Sequence, residues 1–140
     1  MTDDAGAATA ARTAQGDDVV ELRLPADGAY LSVLRTATAG LAARLDFTLD
    51  EIEDLRIAVD EACALLLPDA VEDAELTCLF SLGAEALSVT VSVPSRTGRT
   101  PRRNTFAWTV LTALAGEVDA TVDPDGIVSV TLLKHRGGRA

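Results

Sequence analysis

Residues 45–63 read LDFTLDEIEDLRIAVDEAC, and the fold can be worked out from how this stretch begins and repeats. Thr48 stands three residues before Glu51, the spacing of a capping box. In that device the hydroxyl takes an unpaired N–H of the first helical turn and the glutamate reaches back. Asp50, Glu51, Glu53 and Asp54 crowd the same turns, where the helix dipole favours negative charge. Ile52, Leu55, Val59, Ala62 and Leu66 then recur at spacings of three and four. This predicts a helix with one buried face, ended by Pro68.

Upstream, Leu31, Leu34, Thr38, Leu41 and Leu45 draw a second apolar stripe and predict a helix before Asp46-Phe47. Val19–Leu24 alternates apolar and polar residues, which predicts a strand closed by Pro25. Residues 1–18 are Ala, Gly, Thr and Asp without a periodic face and read as a disordered arm. Downstream, Glu75–Leu82 and Ala86–Val93 read as a hairpin around Gly83-Ala84-Glu85. Residues 104–115 (NTFAWTVLTALA) predict a third helix stopped by Gly116. Val118–Val122 and Ile127–Leu133 read as strands joined by the turn Asp123-Pro124-Asp125-Gly126. The order β, α, α, β, β, α, β, β predicts one α+β domain over residues 19–136, a two-layer sandwich with its helices on one face of the sheet. Residues 137–140 read as a flexible tail.

The chain has 140 residues, 48% of them hydrophobic but only 4% aromatic, so its core must be built from Ala, Leu and Val. Its formal charge of −10 repels phosphate backbones and anionic lipid, which disfavours direct nucleic-acid or membrane binding. No apolar run approaches a membrane span, and the acidic start lacks a signal-peptide core, so a cytoplasmic location is expected. Cys63 and Cys78 then read as two reduced, buried thiols, the sharper alternative being a redox pair. They lack metal-ligand spacing, and His135 is the one histidine, so no metal site is expected. Phosphate-loop, dinucleotide-loop and nucleophile-elbow signatures are all missing.

The stretch over residues 45–63 resembles the corresponding region of RsbW-type anti-sigma factors, small relatives of the Hsp90 and histidine-kinase ATPases. The resemblance runs from about Glu21 to Arg136. It takes in LSVLRTATAGLAARLD of the first helix, FAWTVLTALAGEVD of the third helix and VSVTLLKH of the last strand. It is nearest to the actinobacterial branch, where a similar FxWxVLTALA segment occurs. The resemblance implies the histidine-kinase/Hsp90 ATPase fold with a mixed, mostly antiparallel sheet, and pairing of two copies.

In such proteins the helix carries Glu-x-x-x-Asn, a base followed by a Mg²⁺ ligand. Here Glu61 occupies the first position, and Leu65, which cannot ligate Mg²⁺, the second. The family's Asp-x-Gly-x-Gly, which receives adenine, aligns with residues 93–97, Val-Pro-Ser-Arg-Thr. Its Gly-x-Gly at the third helix becomes Thr105-Phe106-Ala107. Leu65, Val93, Thr105 and Ala107 are thus degenerate cofactor positions, and neither ATP nor Mg²⁺ is expected as a cofactor. Read without the resemblance, Glu61 is a solvated helix carboxylate. The resemblance places the family's partner-binding arginine at Arg35, which on its own reads as a solvated helix arginine. The run Arg96, Arg99, Arg102, Arg103 reads as a solvated loop, or as a local positive field for partner carboxylates.

With the resemblance, three functions stay open. The first is an anti-sigma factor that sequesters a stress or developmental sigma factor and is released by an anti-anti-sigma factor without phosphorylation. The second is an ATP-dependent serine-protein kinase of the same fold with Glu61 as base. The third is a structural relic that scaffolds another regulator.

Overall fold

A computed structural model describes residues 17–137. Five strands, β1 (Asp18–Pro25), β2 (Glu75–Leu82), β3 (Ala86–Pro94), β4 (Glu117–Val122) and β5 (Ile127–His135), form one sheet in the order β1-β2-β3-β5-β4. Each of the four pairings is antiparallel. Three helices, α1 (Leu31–Arg44), α2 (Leu49–Leu66) and α3 (Phe106–Ala115), complete the expected order, and short 3₁₀ turns precede α1 and follow α2.

The alternation legible in β2 and β3 decides which face is covered. Leu76, Cys78, Phe80 and Leu82 on β2 and Leu87, Val89, Val91 and Val93 on β3 are buried with Val128, Val130 and Leu132 of β5. From the helices, Leu34, Leu55, Ala58, Val59, Ala62, Leu66, Trp108 and Leu111 close the same core. The opposite sheet face carries hydroxyls: Thr90 bonds Thr131 at 2.9 Å and Ser92 bonds Ser129 at 2.7 Å across β3 and β5. The core is aliphatic, as the composition requires, but Phe47, Phe80 and Trp108 are also buried in it.

Boundaries shift where caps and pairing decide them. Thr105 caps α3, which therefore starts at Phe106 rather than Asn104: its hydroxyl accepts from Trp108 N at 3.2 Å. Strand β5 runs on to His135 because β3 pairs with it along its whole length. The expected arm over residues 1–18 lies mostly outside the described residues. Within them, Asp18 already belongs to β1, and Asp17 accepts a hydrogen bond from Ser81 Oγ at 3.2 Å. Of the expected tail, Gly137 is fixed: its N–H donates to Glu51 Oε2 at 2.6 Å.

Glu51 thereby holds two N–H groups, because its Oε1 also accepts from Thr48 N at 2.8 Å in the predicted capping box. The bond from the Thr48 backbone holds the Glu51 carboxyl below its ordinary value of 4.5, and the bond from Gly137 adds to this. A depressed folded value means the stabilisation is complete above the ordinary value and is lost as pH falls through the lowered one. Thermal melts from pH 7 to pH 3 should therefore show the difference between wild type and Glu51→Gln shrinking as the solution is acidified. A difference that is constant with pH would show that the ionised carboxylate contributes nothing.

Candidate functional site

Helix α2 is the middle of the helical layer, in contact with both α1 and α3 and with β3 and β5 beneath it. Its inward face makes the core. Its remaining residues include Glu61, half-buried and without a hydrogen bond or ion pair to any described residue, and Leu65 one turn later. Leu65 packs against the core as a partly buried apolar side chain. A carboxylate and an aliphatic group one turn apart offer no pair of oxygen ligands for a divalent cation. Among the described residues no cluster of three or more His, Cys, Asp or Glu groups could hold a metal ion.

The end of β3 comes close to the end of α2, and the chain there is clamped on both sides. Val93 is buried and pairs with Val128. On one side, Val71 N donates to Pro94 O at 2.9 Å and Arg96 N to Asp69 O at 2.7 Å. On the other, Ser95 N donates to Gly126 O at 3.0 Å. The carbonyl of Pro94 and the N–H groups of Ser95 and Arg96 are therefore all bonded within the protein. Arg96 adds a side-chain bond from Nη2 to Pro68 O at 2.8 Å, where carbonyls at the end of α2 favour a cation.

At the start of α3, Thr105 Oγ1 is occupied as the cap and Ala107 brings a half-buried methyl group. Trp108 lies beneath with its ring 4.9 Å from the Arg103 guanidinium, which also bonds Asp119 Oδ1 at 2.7 Å. That bond holds the Asp119 carboxyl below its ordinary range. Helix α3 ends at Gly116, whose φ of 99° is the reason the expected stop residue is a glycine.

Arg35 differs from the exposed anchor read from the sequence. It lies on α1 with its side chain 38% exposed, and Nε stands 3.1 Å from Asp60 Oδ1 of α2. The N–H is not aligned on that oxygen, so this is an ion pair without a hydrogen bond. Nothing in the sequence marked Asp60 as its partner, because helix periodicity gives the faces of two helices but not their relative register. Around Arg35, the solvent side of α1 is Ser32, Val33, Thr36, Ala37, Gly40 and Ala43. No acidic residue occurs anywhere from Leu31 to Arg44.

The two cysteines are free and fully buried, Cys63 on α2 and Cys78 on β2. Burial pushes the Cys63 thiol up to about 12 and raises Cys78 too, so neither supplies a reactive thiolate. His135 pairs with Glu117 at 3.2 Å on the exposed end of the sheet.

Over 128 residues the chain is 33% identical to the anti-sigma-F factor RsbW of Mycobacterium tuberculosis H37Rv, an alignment covering 87% of this chain and 76% of that protein. The chain belongs to the RsbW family. It is also 36% identical over 78 residues to the serine-protein kinase RsbW of Bacillus subtilis 168, covering 54% of this chain and 49% of that one. A similar match, 35% over 75 residues, is to the serine-protein kinase RsbW of Bacillus cereus ATCC 10987, of which the chain covers 47%. The chain thus spans about half the length of the Bacillus kinases it matches. A crystal structure of the RsbU and RsbW domains of Rv1364c from Mycobacterium tuberculosis superposes with a TM-score of 0.68 at 16% identity. That overlap takes in 86% of this chain and 33% of the other. No family model matches the chain. Among the described residues, no helix is long and apolar enough to cross a membrane.

Proposed function

We propose that this chain is an anti-sigma factor that works by occupancy alone: it holds a sigma factor on the outer side of α1 and yields it to an anti-anti-sigma factor by competition. The observation that carries the non-enzymatic half is Leu65, an apolar side chain packed on the core one turn after Glu61. Clamping of residues 94–96 and capping by Thr105 support it, since each uses for the fold a group that a nucleotide would need. A buried charge-assisted contact is worth about 1.5–3 kcal/mol, so losing three kinds of contact together removes most of the affinity for a magnesium-bound triphosphate. Neither ATP nor Mg²⁺ is then a cofactor, and the place of action is the cytoplasm.

Support for the partner face comes from charge. In a chain of net −10, α1 presents a solvent side free of acids, with Val33 exposed and Arg35 at its edge. Such a surface suits an apolar patch with a carboxylate beside it. The kinase reading has two points in its favour, the retained Glu61 and the names of the Bacillus relatives.

The test is to purify the chain with candidate sigma factors and antagonists from the same genome and to incubate it with Mg-ATP. Stable sigma-factor binding is expected, with no phosphoserine on the antagonist by mass spectrometry. Phosphate on a serine would overturn the non-enzymatic half, and binding to none of the sigma factors would overturn the other.

A further inference from the structure

The segment between β3 and α3 carries a surface that the fold does not use. Four of the twelve Lys and Arg residues of the chain fall at Arg96, Arg99, Arg102 and Arg103, with no acid from Pro94 to Phe106. Two are committed to the fold: Arg96 to Pro68 O, and Arg103 to Asp119 and the Trp108 ring. Arg99 and Arg102 are exposed, and neither guanidinium pairs with any described residue. Beside them Phe106, the first residue of α3, is 83% exposed. Phenylalanine seldom stays so fully in water, and aromatic and arginine side chains together are the usual anchors of protein interfaces.

The loop is held in shape before any partner arrives. Ser95 Oγ accepts from Thr97 N at 3.2 Å and from Gly98 N at 3.0 Å, and Thr97 Oγ1 accepts from Arg99 N at 3.2 Å. Thr105 fixes the other end through its cap. A pre-shaped loop loses little freedom on binding. Its positive charge stands out against an acidic protein, so the complementary occupant is acidic. The charge of the whole chain disfavours nucleic acid as that occupant.

We propose that residues 96–106 form a docking site for an acidic protein segment, Arg99 and Arg102 meeting its carboxylates and Phe106 its apolar side chain. Helix α2 lies between α1 and α3, so this site is separate from the α1 surface and does not depend on it.

Trp108 is the only tryptophan and sits under the loop, so its emission reports on the site. The probe is a labelled peptide of about ten residues, mostly glutamate around a Leu-Phe pair. Controls are a lysine version of the peptide, single-stranded DNA and Mg-ATP. The acidic peptide should bind at micromolar concentration, perturb Trp108, and weaken as salt is raised. Arg99→Glu with Arg102→Glu should reduce affinity about tenfold or more, and Phe106→Ser about threefold or more. Arg99→Gln with Arg102→Gln should act in the same direction, keeping the test intact if the reversed charges disturb folding. Arg23→Glu with Arg44→Glu, an equal charge change at exposed positions elsewhere, should leave affinity within about twofold. The proposal is overturned if the peptide does not bind, if the loop and control pairs behave alike, or if DNA or Mg-ATP binds more tightly than the peptide.

Discussion

Arg35→Glu is expected to weaken sigma-factor binding at least about 30-fold, the roughly 2 kcal/mol or more that separates an interface anchor from its neighbours. On the proposed interface the reversed charge would repel the partner carboxylate that the arginine is expected to meet. The change also has a cost inside the chain that periodicity alone would miss. Arg35 lies 3.1 Å from Asp60, and glutamate there places like charges together. Both side chains are more than a third exposed, so solvent screening keeps the stability loss to about 1 kcal/mol or less. Titration calorimetry and thermal melts on the same samples separate the two effects. Arg35→Gln removes the charge without the repulsion and should still lose binding. Affinity unchanged in both variants would remove Arg35 from the interface. Gly40→Leu is the companion variant on the same helix. A Cβ at Gly40 meets nothing within 4 Å, so the helix should gain about 0.5–1 kcal/mol from losing its glycine. Its side chain would stand on the docking side and weaken the partner, a gain in stability with a loss in affinity.

Phe80→Ala is expected to have the largest effect on the fold. Phe80 is fully buried on β2, the largest of the fully buried side chains in a core made mostly of Leu, Val and Ala. Truncating a buried phenylalanine costs about 3–5 kcal/mol, because small aliphatic neighbours fixed on a sheet cannot move in to fill the space. Against a typical total of about 5–15 kcal/mol this is a large share. Urea unfolding should show a lower midpoint with an unchanged slope. A loss below about 1 kcal/mol would mean that the ring does not occupy the centre of the core.

The nucleotide positions and the partner surface differ in how much of each was legible. Leu65, Val93, Thr105 and Ala107 were named through the resemblance, as residues that lack the ligand atom or the glycine backbone expected at the matching positions. Their use in the fold could not be. The clamped backbone of residues 94–96 depends on Asp69, Val71 and Gly126, which are distant in sequence, whereas Thr105 caps α3 through Trp108 N, three residues on. The same holds for the arginine run. It could be read as basic, but only its environment divides it into Arg96 and Arg103, tied to the fold, and Arg99 and Arg102, without ion pairs.

The capping box at Thr48 and Glu51, the alternation of β2 and β3 and the glycine stop at Gly116 act over a few residues, so local sequence determined them and with them the order of elements. The antiparallel strand order, the pairing of Arg35 with Asp60 and the bond from Gly137 to Glu51 were decided only by the tertiary structure. Each joins residues whose separation along the chain says nothing about their distance in space. That distance is fixed only when the apolar faces of separate elements close on one another.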